Sequence, residues 1–215
     1  MEKYIYILQR LFKNTKEKAG GKKFRFHHSC QVAHTARGLA QRLNLSQREV
    51  DIVFIAGLFH DVGKSGRVSL EGYLYAAHAD EKCLGLERHE EVGARMVRDI
   101  LMGDFDPEFI AAVSHIIQDE TKEDILSQVL DDADNLSEMG AMNIWKMFSY
   151  SAYSERDVLE TITYWEEEDK ARHLKKKEAL YLPESQKIAA QRIELTDDFM
   201  HRLKNELEGM ISSLD

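Results

Sequence analysis

The stretch "VFIAGLFHDVGKSG", residues 53–66, decides how the chain is read. Seven apolar or glycine positions run directly into His60 and Asp61, two polar side chains that the interior of a buried helix should reject. A buried imidazole and carboxylate are costly unless they are paired or hold a cation. Neighbouring helical residues point about 100° apart, so the two side chains converge on one ion only where a helix ends and the backbone turns. Gly63 is expected to supply that exit, with Lys64 directly behind it. The competing account is an exposed helix C-terminus whose histidine answers the helix dipole.

Around this stretch the pattern is helical almost throughout. Only two of 215 residues are Pro and twelve are Gly, so turns are few. Apolar residues recur at helical spacing over 2–18, 29–44, 47–62, 89–102, 107–119, 123–138, 140–150, 155–181 and 184–212. Ser46 with Glu49 fits a capping box, and Asp106-Pro107 fits an N-cap followed by proline at the first helical position. Residues 66–88 hold no sustained period and read as a long connection, a class that is usually functional or disordered. Glu166 with Lys170 and Glu168 with Arg172 suit i, i+4 pairs on a solvated helix face.

Charge narrows the partners. Lys and Arg number 29 against 38 Asp and Glu, a formal net charge of −9, so the surface as a whole repels nucleic acid and anionic membranes. The local exception is "GGKKFRFHH", residues 20–28, read as a solvated loop between helices or as a guide for an anionic substrate. No run approaches the roughly 18 apolar residues of a membrane span, and the amphipathic start "MEKYIYILQRLFKNTKEK" is unlike a signal peptide. Two lone cysteines, Cys30 and Cys83, argue for a reducing cytoplasm rather than a disulfide framework. A homodimer is compatible with this composition.

The histidines carry the chemistry. Four of the nine, His34, His60, His89 and His115, fall one per helix at intervals of 26, 29 and 26. His89 projects with Val92, Gly93, Met96 and Ile100 on the face expected to be buried. In "VLDDADNLSEMG", Asp134 lies beside Leu126 and Leu130, whereas Asp131 is turned further away; a carboxylate so placed needs a partner, and a cation suits best. His34, grouped with Cys30, Arg37 and Gln41, and His115 lie off the main apolar stripes, which fits either a cleft between helices or solvent. His173 and His201 read as ordinary exposed positions, and His78 and Glu81 as solvated parts of the long connection.

The ordered pattern His34 … His60-Asp61 … His89 … His115 … Asp134, with "HDVGK" at its second station, resembles the HD superfamily of metal-dependent phosphohydrolases over roughly residues 25–140. "HTARG", "DDADNLSEMGAMNIWKMF" and the C-terminal "KKKEALYLPESQKIAAQRIELTDDFMHRLKNELE" are similar to a bacterial single-domain HD group that includes nucleotide pyrophosphohydrolases. The resemblance implies an all-α fold, a single HD-domain helical bundle over 1–215 with a metal-binding core at about 25–140 and additional C-terminal helices from about 141.

It also implies a first metal held by His34, His60, Asp61 and Asp134, and positions for a second at His89 and His115, with Asp61 bridging. Imidazole and carboxylate without thiolate suit one or two divalent ions of Mn, Fe, Co, Ni or Zn. Such a site activates water against a phosphate ester or pyrophosphate bond, most simply in a nucleotide. Asp61 would position the water or bridge the ions; Lys64 would neutralise a phosphoryl oxygen or answer the dipole at its helix end; Arg37 would hold phosphate bidentately or form a surface salt bridge. Glu90, His27 and His28 are weaker candidates for substrate contact. Two alternatives stand beside this hydrolase. One is an HD-type di-iron oxygenase, which uses the same six ligand positions; the other is a non-catalytic metal-binding regulator.

Overall fold

Helix α3, Gln47–Phe59, begins on the expected capping box: Ser46 Oγ accepts from the Glu49 backbone N–H, and Glu49 returns a carboxylate to the Ser46 backbone N–H at 2.7 Å. From Ile52 to Phe59 every residue is buried, so this helix is apolar on all sides and forms the centre around which others pack. The computed structural model describes residues 1–17, 21–66, 85–118 and 121–212, and His78, Glu81 and Cys83 lie outside them.

The chain divides into two compact units at Ser137 and Glu138. In the first, α2, Phe24–Arg42, and α6, Ile125–Ser137, pack on α3. Helix α5, Pro107–Gln118, bridges α3 to α4, His89–Leu101. Asp106 caps α5 by accepting from the Phe109 N–H at 2.9 Å. Helix α1, Glu2–Leu11, adds Tyr4 and Leu8 to the core, and Tyr4 meets Phe59 edge-on. At Gly57 an added Cβ would stand 2.6 Å from the Ala33 Cα, so α2 and α3 touch backbone to backbone.

Two boundaries differ from the sequence reading. Helix α1 stops at Leu11 rather than 18, where Thr15 Oγ1 donates to the Phe12 carbonyl at 2.8 Å and the chain enters a short antiparallel pair, β1 Lys16–Glu17 with β2 Gly21–Lys22. Helix α2 then starts at Phe24 rather than 29, after Lys23 in a left-handed conformation at φ 59°. The basic arm is therefore mostly helix.

The second unit holds α7, Ala141–Tyr153, α8, Val158–Tyr164, α9, Lys170–Ala179, and the long α10, Pro183–Ser212. Met147, Ile162, Trp165, Ile193 and Met200 form its core. A π-helical turn, Trp165–Asp169, joins α8 to α9 and shifts the helical register. The expected i, i+4 pairs give way to it: Glu166 pairs with Lys204 at 3.0 Å and Lys170 with Asp197 at 2.8 Å. His173, expected to be exposed, is buried with its Nδ1–H donated to the Asp169 carbonyl. The architecture is all-α, and among the described residues no helix is long and apolar enough to cross a membrane.

Candidate metal centre

At the end of α3, His60 keeps helical dihedrals, φ −53° and ψ −36°, while Asp61 turns to φ −100° and ψ 5° at the head of the tight turn Val62–Lys64. That break lets the adjacent imidazole and carboxylate face the same space. It falls at Asp61 itself, so Gly63 is not the exit expected of it. Gly63 instead permits close approach, since an added Cβ would lie 2.0 Å from the His89 carbonyl oxygen and 2.9 Å from the Gly93 nitrogen. The turn thus presses against the start of α4 and brings His89 onto Asp61.

Four donor atoms converge here. His28 Nε2, from α2, stands 3.2 Å from His60 Nε2, 3.5 Å from Asp61 Oδ2 and 3.2 Å from Asp134 Oδ1. His60 Nε2 lies 3.4 Å from Asp61 Oδ2 and 3.7 Å from Asp134 Oδ1. Such separations are the edges of a coordination polyhedron whose corners stand about 2.1 Å from its centre. His28, His60 and Asp61 alone already group tightly enough to hold an ion.

The outer ring nitrogens settle which inner atoms are bare. His60 Nδ1–H donates to the Gly57 carbonyl at 2.9 Å. Ser137 Oγ gives its only proton to the Asp134 carbonyl at 2.7 Å, so at 3.1 Å it accepts from His28 Nδ1–H. Both Nε2 lone pairs therefore point inward at one another, an arrangement that calls for a cation between them. Without an ion, a proton on His28 Nε2 supplies that charge: burial pushes the His28 pKa down, but its hydrogen bonds to Asp134 and Asp61 outweigh this and raise it to about 9. The centre demands positive charge, and its imidazole and carboxylate donors fit a divalent ion of the Mn-to-Zn group.

Asp61 has two sides. Its Oδ2 faces the donor cluster and also meets Arg25 Nη1; Arg25 Nε in turn donates to Glu17 at 2.7 Å. Its Oδ1 accepts from Lys64 Nζ at 2.8 Å and lies 3.4 Å from His89 Nε2. Burial pushes this carboxyl up, but Arg25, His60 and Lys64 together hold it well below the usual carboxylate range. The centre opens on a cavity of about 310 Å³ whose wall includes Lys64, Arg88, Lys122, Asp131, Ile117 and Leu130. Burial pushes the Asp131 carboxyl above its ordinary value, with Lys122 acting against it.

Of the expected ligands, His60, Asp61 and Asp134 come together and His89 sits on the far side of Asp61. His34 and His115 do not reach the centre. His34 is exposed, edge-on to Phe54 at 5.5 Å, and His115 is 63 % exposed with Nε2 3.7 Å from Asp124. Arg37, expected to hold phosphate, has its guanidinium carbon over the Phe54 ring at 3.6 Å and forms no part of the cavity wall. His28, expected at most to touch substrate, joins the donor cluster, and Asp131, expected to turn away, lines the cavity; Arg25, Arg88 and Lys122 carried no expectation of their own. The signal for His28 was present: carrying the helix back to Phe24 places Phe24, His28, Val32, Ala36 and Leu39 on one buried stripe.

A predominantly helical unit with paired histidines and aspartates gathered at a helix end defines a candidate metalloprotein. The HD domain family model matches residues 25–139, more than half of the chain, and the protein belongs to the HD domain family. Its fold is similar to a predicted HD superfamily hydrolase from an uncultured Thermotogales bacterium, at 22% identity and TM-score 0.66 over 96% of this chain and 92% of that one. An HD-superfamily hydrolase from Bacillus thuringiensis is similar at 19% identity and TM-score 0.65, covering 96% of each chain. Bacillus subtilis YpgQ in complex with ADP is similar at 18% identity and TM-score 0.61, over 97% of this chain and 98% of that one. No curated protein matches the chain.

Proposed function

We propose that the protein is a metal-dependent phosphohydrolase acting on a small phosphorylated substrate, most simply a nucleotide. The observation that carries this reading is the four-donor set of His28, His60, Asp61 and Asp134 opening on a cavity walled by Lys64, Arg88 and Lys122. A divalent ion held by those four donors would supply Lewis acidity to water and to a phosphoryl oxygen.

The chain's own residues do the rest. Arg25 and Lys64 hold Asp61 ionised, so that it can accept a hydrogen bond from the attacking water. Lys64, Arg88 and Lys122 offer fixed positive charge where the phosphoryl oxygens gain negative charge. Ile117 and Leu130 give the same cavity an apolar side for a base or sugar. YpgQ, whose structure is a complex with ADP, supports a nucleotide as the substrate class.

A two-ion centre, and with it the di-iron oxygenase, is less well supported. Lys64 Nζ already lies 2.8 Å from Asp61 Oδ1, beside His89, and His115 stands away from that side. The test is phosphate or pyrophosphate release from a panel of nucleotides, dinucleotides and phosphomonoesters with added Mn, run beside Asp61→Ala. Turnover lost in the variant is the expected result. No turnover across the panel, in a protein that binds Mn, would sink the hydrolase reading.

A further inference from the structure

The second unit contains its own cavity, of about 370 Å³, walled by residues of α7, α8, α9 and the turns between them. Four cations line it, Lys146, Arg156, Arg172 and Lys176, against two carboxylates, Glu138 and Asp169. In a chain of net charge −9 this is a local excess of positive charge. The carboxylates are already committed. Glu138 accepts from Lys146 Nζ at 2.6 Å and from Lys176 Nζ at 2.8 Å, and Asp169 pairs with Arg172 at 3.1 Å. Arg172 Nη2 also donates to the Tyr164 hydroxyl at 3.0 Å.

Arg156 differs from the other three. Its guanidinium lies over the Tyr164 ring at 4.5 Å and near the Tyr150 ring at 5.8 Å. Its Nη1 is buried and meets no hydrogen-bond acceptor among the described residues. Buried guanidinium N–H groups are ordinarily satisfied, so an orphan donor on a cavity wall marks the place of an acceptor that a ligand brings. The turn that carries Arg156 is fixed: Glu155 is left-handed at φ 58°, and the Arg156 N–H is tied back to the Ser151 carbonyl at 2.9 Å. A planar fork over aromatic rings suits a phosphate oxygen pair with a flat ring alongside. Tyr150, 43% exposed, and Met147 supply the apolar wall for that ring.

We propose that this cavity is a second binding site, separate from the metal centre, for a phosphorylated compound of mononucleotide size. Its phosphate sits on Arg156 and Arg172, and its ring lies against Tyr150. The volume falls within the range of small-molecule sites.

The test uses the full chain in EDTA, titrated with AMP by calorimetry, with inorganic phosphate and adenosine in parallel. Arg156→Gln is expected to bind one AMP fewer per chain, or to bind it at least tenfold more weakly at that site. Its melting temperature without AMP is expected to fall only slightly, because the variant loses the ring contacts with Tyr164 and Tyr150 but leaves no hydrogen-bond acceptor of Arg156 Nη1 unpaired. Lys64→Ala, in the first unit, is expected to leave this site intact. Equal AMP stoichiometry and affinity in wild type and Arg156→Gln overturns the proposal. So does phosphate or adenosine binding as tightly as AMP, which removes the ring or the phosphate from the argument. Should Arg156→Gln fail to fold, the wild type still decides: AMP is expected to slow phenylglyoxal modification of Arg156 and Arg172, read by peptide mass, and no protection overturns the site.

Discussion

His28 Nε2 and His60 Nε2 stand 3.2 Å apart while the opposite nitrogen of each ring is bonded to oxygen. Two bare lone pairs at that distance repel unless positive charge lies between them, and Asp61 and Asp134 close the same space with carboxylate oxygens. The arrangement predicts a sharp contrast between two histidines of one helix. His28→Ala removes a donor and should lower metal affinity and turnover by more than the roughly 10–100-fold typical of losing an outer-shell partner. His34→Ala, which removes only an exposed ring beside Phe54, should leave both within about twofold, as such surface substitutions usually do. Metal content of the purified variants and nucleotide turnover are the measurements, and equal losses at both positions would contradict the assignment.

Ser137 supports a second prediction. Its hydroxyl accepts from His28 Nδ1–H and donates to the Asp134 carbonyl, so one side chain orients a ligand on α2 and ties it to the helix bearing another. Ser137→Ala should fold normally, yet weaken metal binding by about 10–100-fold. Competition against a chelator reads the effect directly. Unchanged affinity would mean that packing alone holds the His28 ring.

The contrast between His28 and His34 also shows what was legible beforehand. The expectation that His60, Asp61 and Asp134 share one ion rests on the family resemblance, whereas the helical order and the capping box at Ser46 follow from period and spacing, because buried helices impose both on the sequence. The start of α2 did not. No side-chain cap marks it, and Lys23 enters it left-handed, so the helix reads as beginning at residue 29 and the nearest helical histidine becomes His34. The candidate centre is assembled by residues distant in sequence, and a shift of about one and a half turns in a single helix start changes which histidine of α2 falls on the buried stripe. Lys122 and Arg88 were hidden for another reason: each lies in a connecting segment, where no period reports which way a side chain faces.

Two glycines should separate stability from site geometry. Gly57→Ala would force a methyl within 2.6 Å of the Ala33 Cα, wedging α2 from α3 at the centre of the first unit. Overpacking of this kind costs about 1–3 kcal/mol or more. Gly63→Ala meets the His89 carbonyl oxygen at 2.0 Å, and backbone cannot swing aside as a flexible side chain can. The turn carrying Lys64 must shift, taking Asp61 with it. Gly57→Ala should therefore show chiefly a lowered melting temperature, and Gly63→Ala a loss of metal out of proportion to its change in stability. The reverse ranking would mean that the turn is not what sets the centre.

The last prediction concerns acid. Glu138 is partly buried between Lys146 and Lys176; burial pushes its carboxyl up, but the two ammonium groups outweigh this and bring it from 4.5 to about 2. A group whose pKa is lowered on folding stabilises the fold above its unfolded value, and that stabilisation is lost as pH falls through the folded value. The Glu138 contribution should thus be complete above about pH 4.5 and disappear towards pH 2. With a third of the side chain exposed, solvent screening reduces it to about 1 kcal/mol. Glu138→Gln should accordingly melt below the wild type at pH 7, with the gap narrowing between pH 4.5 and 2. Fluorescence of buried Trp165, a core residue of the same unit, is a suitable probe. A gap that stays constant over that range would mean that Glu138 acts through shape rather than charge.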